Sequence, residues 1–188
     1  MKRKKQLSIA DAWRATFSST DRVKDQKDIS WIVWLFENPE SPLALHGAAS
    51  LYAHDHIHLL LDRCIDKEDE AFVIGFSMGN DEKTTRFDVW LFKLISRFIY
   101  PSAYRFESRH LKIFDMGFQF GRTRKFKNIT SVDFSKIDPR MDLSKVRKIF
   151  DIDENSLEKF DQEIEMVNKQ IGMESEERLT TPPNSGVS

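Results

Sequence analysis

Residues 54–70 constrain the fold of this chain more than any other segment. His54 and His58 lie one helical turn apart, and Glu70 follows twelve positions after His58. Asp66 can cap a second helix, so the break between the two helices is only about three residues, which predicts an antiparallel hairpin. At roughly 1.5 Å of rise per residue, His58 and Glu70 lie at similar height on facing helices. The spacing therefore predicts that these two side chains meet.

The apolar residues recur mostly at the helical period, and 15 phenylalanines and four tryptophans supply bulky apolar material. We expect an all-α, single-domain helical bundle over residues 9–171, with the hairpin and an apolar cavity inside it. Residues 1–8 are predicted to be flexible, and residues 172–188 to form a disordered tail. The predicted helices run from Ser41 to about Arg63, from Asp66 to about Asn80, from about Thr84 to Tyr100, from Pro101 to Gly121, from Asp142 to Ile149 and from Asn155 to Ile171.

The charge balance and the single cysteine limit the partners and the compartment. Lys plus Arg (29) nearly cancel Asp plus Glu (30), so no bulk attraction to nucleic acid is expected. Cys64 cannot form an internal disulfide, and the opening Met-Lys-Arg-Lys-Lys has no apolar stretch behind it, which indicates a cytoplasmic protein. The most apolar stretch, Phe87 to Tyr100, is shorter than the roughly 20 residues of a membrane-spanning helix.

The helix predicted from about Thr84 to Tyr100 is apolar over most of its circumference. Arg86, Lys93 and Arg97 share a narrow arc of it, at about 100° per residue. One interpretation is a central core helix with a solvated basic stripe. The other is a surface that contacts a lipid chain or a membrane face, while the stripe contacts anionic head groups.

Two further patterns have structural explanations. Gly75-x-x-x-Gly79 lacks the Gly-Lys-Ser/Thr ending and the preceding strand of a phosphate loop, so we expect close helix packing there. Asp151-x-Asp153-x-Asn155 imitates the start of a calcium loop but lacks the turn glycine and the bidentate Glu that such a loop needs. This acidic run is predicted to cap the last helix.

The segment 54–70 also contains metal-ligand chemistry. His54, Asp55 and His58 lie within about 100° of arc on one helix, so they can converge on one ion and be joined there by Glu70. Two imidazoles and two carboxylates suit a divalent metal, with Zn²⁺ the first choice and Fe²⁺ or Mn²⁺ as alternatives. An open coordination position would favour catalysis over a structural site. The alternative is a pair of histidines satisfied by hydrogen bonds.

The ligand spacing resembles the hallmark of the coenzyme Q (ubiquinone) biosynthesis protein 4 family, which is His-Asp-x-x-His, eleven residues and Glu. A second stretch is similar to the family's Gly-Arg-x-x-Lys, Val-x-Phe and Asp-Leu elements followed by an Arg-containing helix. It comprises Gly121-Arg122-Thr123-Arg124-Lys125, Val132-Asp133-Phe134, Asp142-Leu143 and Arg147. The resemblance covers residues from about 40 to 152. Residues 1–38 and the surroundings of Glu70 depart from the family pattern, so the chain resembles a divergent member.

The resemblance implies a helical protein that binds a divalent metal, holds long isoprenoid lipids in an apolar cavity and associates peripherally with membranes. It also implies a role in quinone biosynthesis together with other enzymes of that pathway, and oxidative decarboxylation of a prenylated aromatic ring. Carried over by position, His54, Asp55, His58 and Glu70 would hold the metal. The lipid would contact Phe72, Phe76, Phe87, Trp90 and Phe98, and its head group would contact Arg122 and Lys125.

Other functions fit the same residues. A non-catalytic isoprenoid-lipid-binding scaffold would use the metal only to connect two helices. A histidine-aspartate phosphohydrolase would use the His54-Asp55 doublet with His46 and either Asp88 or Asp115, but it would leave Glu70 without a role. Whether the protein is an enzyme, and whether it forms a homodimer, stay open from sequence.

Overall fold

The computed structural model describes residues 7–17, 45–102 and 104–180. These residues form seven α-helices and, apart from one isolated bridge between Ser8 and Asp142, no β-structure. The helices are α1 (Ile9–Phe17), α2 (Leu51–Leu61), α3 (Lys67–Asn80), α4 (Arg86–Leu94), α5 (Ser108–Thr123), α6 (Leu143–Ile149) and α7 (Glu154–Thr180). They share one principal core, so the predicted all-α, single-domain fold is confirmed.

Helices α3 and α5 form the centre of the fold, and glycines allow them to approach unusually closely. Each glycine faces a backbone carbonyl of the other helix, in the pairs Gly75 with Phe114, Gly79 with Phe118, Gly117 with Phe72 and Gly121 with Phe76. The residue numbers rise together along both helices, so α3 and α5 run parallel. A Cβ atom at any of these positions would overlap the facing carbonyl oxygen. The close packing predicted for Gly75-x-x-x-Gly79 is therefore confirmed.

Phenylalanine rings fill the space beside this glycine contact. Phe72, Phe76 and Phe120 are fully or almost fully buried, and the Phe120 ring lies 6.2 Å and 5.6 Å from the rings of the other two. Phe92 from α4 stacks on Phe114 with ring centroids 5.0 Å apart. Much of the aromatic excess noted in the sequence therefore serves dense core packing.

Two buried polar side chains fix the C-terminal ends of α2 and α3. Arg147 of α6 donates hydrogen bonds to the carbonyl of Leu60 at 2.7 Å and to that of Leu59 at 3.1 Å. Asn80 donates to the Phe126 carbonyl at 2.7 Å and accepts from the Ile129 N–H at 2.8 Å. A helix end leaves carbonyls without partners inside the helix, and Arg147 supplies donors for two of them.

The start of α2 differs from the sequence prediction. Ser41, where we expected the helix to begin, lies outside the described residues. The helix begins at Leu51, where Ser50 accepts a hydrogen bond from the Ala53 N–H at 3.3 Å. Gly47 cannot belong to a helix because its φ is +90°, and its N–H donates to the Asp81 carboxylate at 2.9 Å.

The two ends of the predicted domain also differ. Helix α7 continues to Thr180, past the predicted end at Ile171 and into the segment expected to be a disordered tail. Glutamate, arginine and leucine in residues 174–179 are good helix formers, which explains the extension. At the other end, the segment 1–8 was expected to be flexible, but the Leu7 carbonyl accepts a hydrogen bond from the Leu143 N–H at 3.0 Å. Residues 1–6 and 181–188 lie outside the described chain.

The third predicted helix is confirmed in two parts. Thr85 and Asp88 form a capping box at the start of α4, and the helix continues after Leu94 as one turn of π-helix over Ile95–Ile99.

Among the described residues, no helix combines the length and the apolar character that a membrane span requires.

Candidate metal centre

The candidate metal centre lies where α2 meets the first turn of α3. His54 and His58 are one turn apart on α2, with ring centroids 4.7 Å apart. Asp66 caps α3 by accepting from the N–H groups of Glu68 and Asp69, both at 3.0 Å. This cap starts α3 at Lys67 and places Glu70 in its first turn, where the helix dipole favours a carboxylate.

The side chains of three residues, His54, His58 and Glu70, converge between these helices. His54 Nε2 lies 3.1 Å from Glu70 Oε2 and 3.0 Å from His58 Nε2. His58 Nε2 lies 3.4 Å from Glu70 Oε1. The predicted meeting of His58 and Glu70 is therefore confirmed. His58 is fully buried, whereas the side chains of His54 and Glu70 are 21% and 29% exposed, so the cluster is open to solvent on one side.

These separations fit a divalent ion. A tetrahedral site with ligand bonds of about 2.0–2.1 Å requires its donor atoms to lie about 3.3 Å apart, close to the three measured distances. Two imidazole nitrogens and one carboxylate are donors that Zn²⁺, Fe²⁺ and Mn²⁺ accept. The donor set leaves at least one coordination position for water or a substrate. One feature differs from most metal-binding histidines, because His58 Nδ1 is buried without a hydrogen-bond partner among the described residues.

The charge state of Glu70 also suits a cation. Burial raises the pKa of the Glu70 carboxyl, but the charges and hydrogen bonds of His54 and His58 outweigh burial and hold that pKa well below its usual range. Glu70 is therefore a carboxylate at neutral pH, available as an anionic ligand.

Asp55, the fourth predicted ligand, is not part of this cluster. The residues whose ligand atoms lie within 4.8 Å of one another are His54, His58 and Glu70. Asp55 is buried but follows His54 by about 100° around the helix, and its short side chain does not reach the point where the imidazoles converge. His56, which sequence excluded, faces elsewhere: its Nδ1 lies 2.7 Å from the Tyr52 carbonyl oxygen.

The five aromatic residues predicted to line a lipid cavity do not form one wall. Phe72 and Phe76 belong to α3, and their side chains are fully buried in the core. Phe87, Trp90 and Phe98 lie on the outer face of α4 and the π-turn, where they are 63%, 56% and 67% exposed. The first pair belongs to the core, and the other three form part of a surface.

The residues predicted to bind a head group lie far from the cluster. Arg122 and Lys125 are exposed near the C-terminal end of α5, beside the end of α3 marked by Asn80. Glu70 is ten residues before Asn80 on α3, a separation of about 15 Å along the helix. The Lys125 N–H donates to the Asp151 carboxylate at 2.8 Å, which ties this loop to the start of α7. These residues therefore do not face the same ligand as Glu70.

The acidic run before α7 has the predicted structural role. The Asp153 carboxylate accepts a hydrogen bond from the Ser156 N–H at 2.7 Å, as an N-cap does, and it also pairs with Arg124 at 3.2 Å. The capping role is confirmed.

The residues required by the phosphohydrolase alternative are separated from the cluster. His46 Nδ1 lies 3.2 Å from Asp88 Oδ2 at the start of α4, and Asp115 forms an ion pair with Lys93. None of these groups joins His54 and His58. The geometry therefore favours Glu70, not a second Asp-His set, as the partner of the two histidines.

Sequence analysis missed the contacts that surround the ligands. Arg63 and Asp69, in the connection and at the start of α3, form an ion pair at 3.5 Å beside the cluster. Asp69 is one of three acidic residues in the first turn of α3, where the helix dipole favours them, so its position alone indicates no further role. Nothing in the spacing marked Arg63.

The fold and the site together define an all-α protein with a candidate His-His-Glu centre for a divalent metal. Comparison of the chain with models of known protein families, with curated proteins and with solved structures gave no match.

Proposed function

We propose that this protein binds a divalent metal through His54, His58 and Glu70 and acts at a membrane surface on a prenylated aromatic lipid of quinone biosynthesis. The observation that carries the proposal is the convergence of two imidazole nitrogens on each other and on the two oxygens of the Glu70 carboxylate, at separations of 3.0–3.4 Å. The link to quinone biosynthesis rests on the ligand spacing, which resembles that of the coenzyme Q biosynthesis protein 4 family.

The chemistry of such a site follows from its open side. An oxidative decarboxylation would break the bond between the ring and its carboxylate, release CO₂ and leave a hydroxyl on that ring carbon, with O₂ as the external oxidant. A divalent ion held by these residues would fix the ring carboxylate and stabilise developing phenolate charge. Glu70 and His54 border the solvent-accessible side, so a head group would approach past these two residues. Burial of His58 fixes its imidazole behind them.

The outer face of α4 supports a membrane location. Phe87, Trp90 and Phe98, each more than half exposed, form an apolar stripe that soluble surfaces seldom carry. Lys83 and Arg86 are exposed at the same end as Phe87, and they can pair with anionic lipid head groups. Tryptophan favours the boundary between head groups and acyl chains. We therefore assign the lipid contact to this face instead of an internal tunnel.

Metal content tests the centre. Purified wild type should contain or take up about one Zn²⁺, Fe²⁺ or Mn²⁺ per chain, measured by elemental mass spectrometry. His58→Ala and Glu70→Ala should each lose most of it. His46→Ala is the matched control, because this histidine lies outside the cluster and should leave metal content unchanged. Equal, negligible metal in wild type and both ligand variants would refute the metal centre.

Vesicle binding tests the membrane face. Wild type should sediment with vesicles of phosphatidylcholine containing an anionic phospholipid, and less with phosphatidylcholine alone. Phe87→Ser with Trp90→Ser should lower the affinity at least ten-fold, because each buried aromatic contributes about 2 kcal/mol. Ile149→Ser is the control, since Ile149 is 56% exposed on another helix. Unchanged binding of the double variant would exclude this face.

Copurified lipid tests the substrate and the reaction. Mass spectrometry of extracted lipid should find a prenylated aromatic compound. A product lacking the ring carboxylate that accumulates with time supports catalysis, whereas a bound lipid that stays unchanged supports the non-catalytic scaffold. Absence of any prenylated compound contradicts the proposed substrate class.

A further inference from the structure

The connection between α2 and α3 is short and carries an ordered set of hydrogen bonds. Residues 62–66 join the helix that bears His54 and His58 to the helix that bears Glu70. Asp62 ends α2 with φ 56°, and its N–H points back to the carbonyls of His58 and Leu59. The relative position of the three ligands therefore depends on how this connection is held.

Two consecutive backbone N–H groups of the connection donate hydrogen bonds, one to α2 and one to α3. The Arg63 N–H donates to the His58 carbonyl at 2.9 Å, so it binds the backbone of a ligand residue on α2. The next N–H, that of Cys64, donates to the Asp69 carboxylate at 2.6 Å. Asp69 directly precedes Glu70. The connection is thus hydrogen-bonded both to His58 and to Asp69, the residue before Glu70.

Asp69 is also held from a second side. Its Oδ1 lies 3.5 Å from Nη1 of Arg63, whose guanidinium is buried over the Phe72 ring at 4.4 Å. Arg63 Nη2 pairs with Asp161 of α7 at 2.8 Å. The Asp69 carboxylate is therefore held by the Cys64 N–H on one oxygen and by Arg63 on the other.

We propose that Asp69 is a positioning residue of the metal centre. By accepting the Cys64 N–H, its carboxylate fixes the first turn of α3 against the end of α2, and this places the Glu70 carboxylate opposite both imidazoles. Asp69 itself is not a ligand, because its oxygens lie outside the cluster. The inference rests on the metal centre proposed above.

The affinity for Zn²⁺ and the visible spectrum of the Co²⁺-loaded protein test this role. Hydrogen-bond partners of metal ligands typically contribute about 10–100-fold to metal affinity, and Asp69, which acts through the backbone next to Glu70, is expected at the lower end of that range. Asp69→Ala should lower Zn²⁺ affinity by that factor, and its Co²⁺ spectrum at saturation should differ from wild type because Glu70 no longer stays in place. Asp69→Asn keeps an oxygen that can accept the Cys64 N–H, and it should remain within about three-fold of wild type. Asp161→Ala removes the carboxylate of α7 that pairs with Arg63 and leaves Asp69 in place, and it is the control.

The outcomes separate the two proposals. No binding by wild type would refute the metal centre itself. Binding by wild type together with unchanged affinity and spectrum in Asp69→Ala would overturn the positioning role alone, and so would equal losses in Asp69→Ala and Asp69→Asn. If Asp69→Ala fails to fold, Cys64→Pro removes the same N–H donor and leaves every carboxylate in place. It should then show the same loss, whereas its control Cys64→Ala, which keeps the N–H, should bind as wild type.

Discussion

Gly117→Ala tests the parallel glycine contact at the centre of the fold. A Cβ at this position would overlap the Phe72 carbonyl oxygen and approach the Phe72 carbonyl carbon and the Phe76 nitrogen. All three are backbone atoms inside α3, so no side-chain rotation relieves the overlap and the helices must separate. Overpacking a core costs about 1–3 kcal/mol, and a clash between two backbones belongs at the upper end. Against this loss, alanine stabilises the helix interior by about 1 kcal/mol relative to glycine. The expected net loss is about 2 kcal/mol.

Urea unfolding followed by far-UV circular dichroism measures this loss directly. A single-domain chain is expected to unfold in one transition, so the shift in midpoint at constant slope gives the change in free energy of unfolding. Gln119→Ala is the matched control, since Gln119 is exposed on the same helix and its replacement should change stability by no more than about 0.5 kcal/mol. If Gly117→Ala unfolds within about 0.5 kcal/mol of wild type, or is more stable, α3 and α5 do not require this close approach.

Three further outcomes follow from buried polar groups and from the metal centre. Arg147→Met should destabilise the protein by about 3 kcal/mol in the same assay, because the Leu60 carbonyl loses the Arg147 donor and the Leu59 carbonyl keeps only the Asp62 N–H. Burial lowers the pKa of the His110 imidazole, so the neutral side chain contributes fully to stability above the unfolded pKa of about 6.5. The free energy of unfolding should therefore fall as the pH drops below that value, and it should fall less steeply in His110→Gln. Zn²⁺ at about 100 times its dissociation constant should stabilise wild type by about 2.7 kcal/mol and Glu70→Ala by far less, measured by thermal melts.

The helix content and the principal contact of the site could be predicted from sequence. Helical spacing, the Asp66 cap and a short break were sufficient to bring His58 and Glu70 together. The exclusion of Asp55 could not be predicted, because three residues within about 100° of arc are equivalent until the direction of the neighbouring helix is known. That direction depends on the 62–66 connection, whose Asp62 adopts φ 56° without being glycine.

The orientation of α4 was unpredictable for a different reason. Phe87, Trp90, Leu94 and Phe98 recur at helical spacing, but so do Asp88, Phe92 and Ile95 on the opposite side. Hydrophobicity alone would turn the face of Phe87, Trp90 and Phe98 towards the core. The structure instead buries the face of Asp88 and Phe92, because Asp88 forms the capping box with Thr85 and Phe92 stacks on Phe114. An apolar stripe that faces outward is thus a consequence of specific contacts, and it is the feature on which the proposed membrane contact of α4 rests.

The two ligand helices are fixed by independent parts of the core. Glu70 belongs to α3, whose backbone is held against α5 by the glycine contacts, whereas the histidines belong to α2, whose end is held by Arg147. Each helix is therefore positioned by core contacts of its own backbone, and the 62–66 connection sets the position of one helix relative to the other. A metal ion would join two elements that are already ordered, so little conformational entropy would be lost on binding. The proposed centre would therefore be preformed, because the fold brings His54, His58 and Glu70 together without an ion.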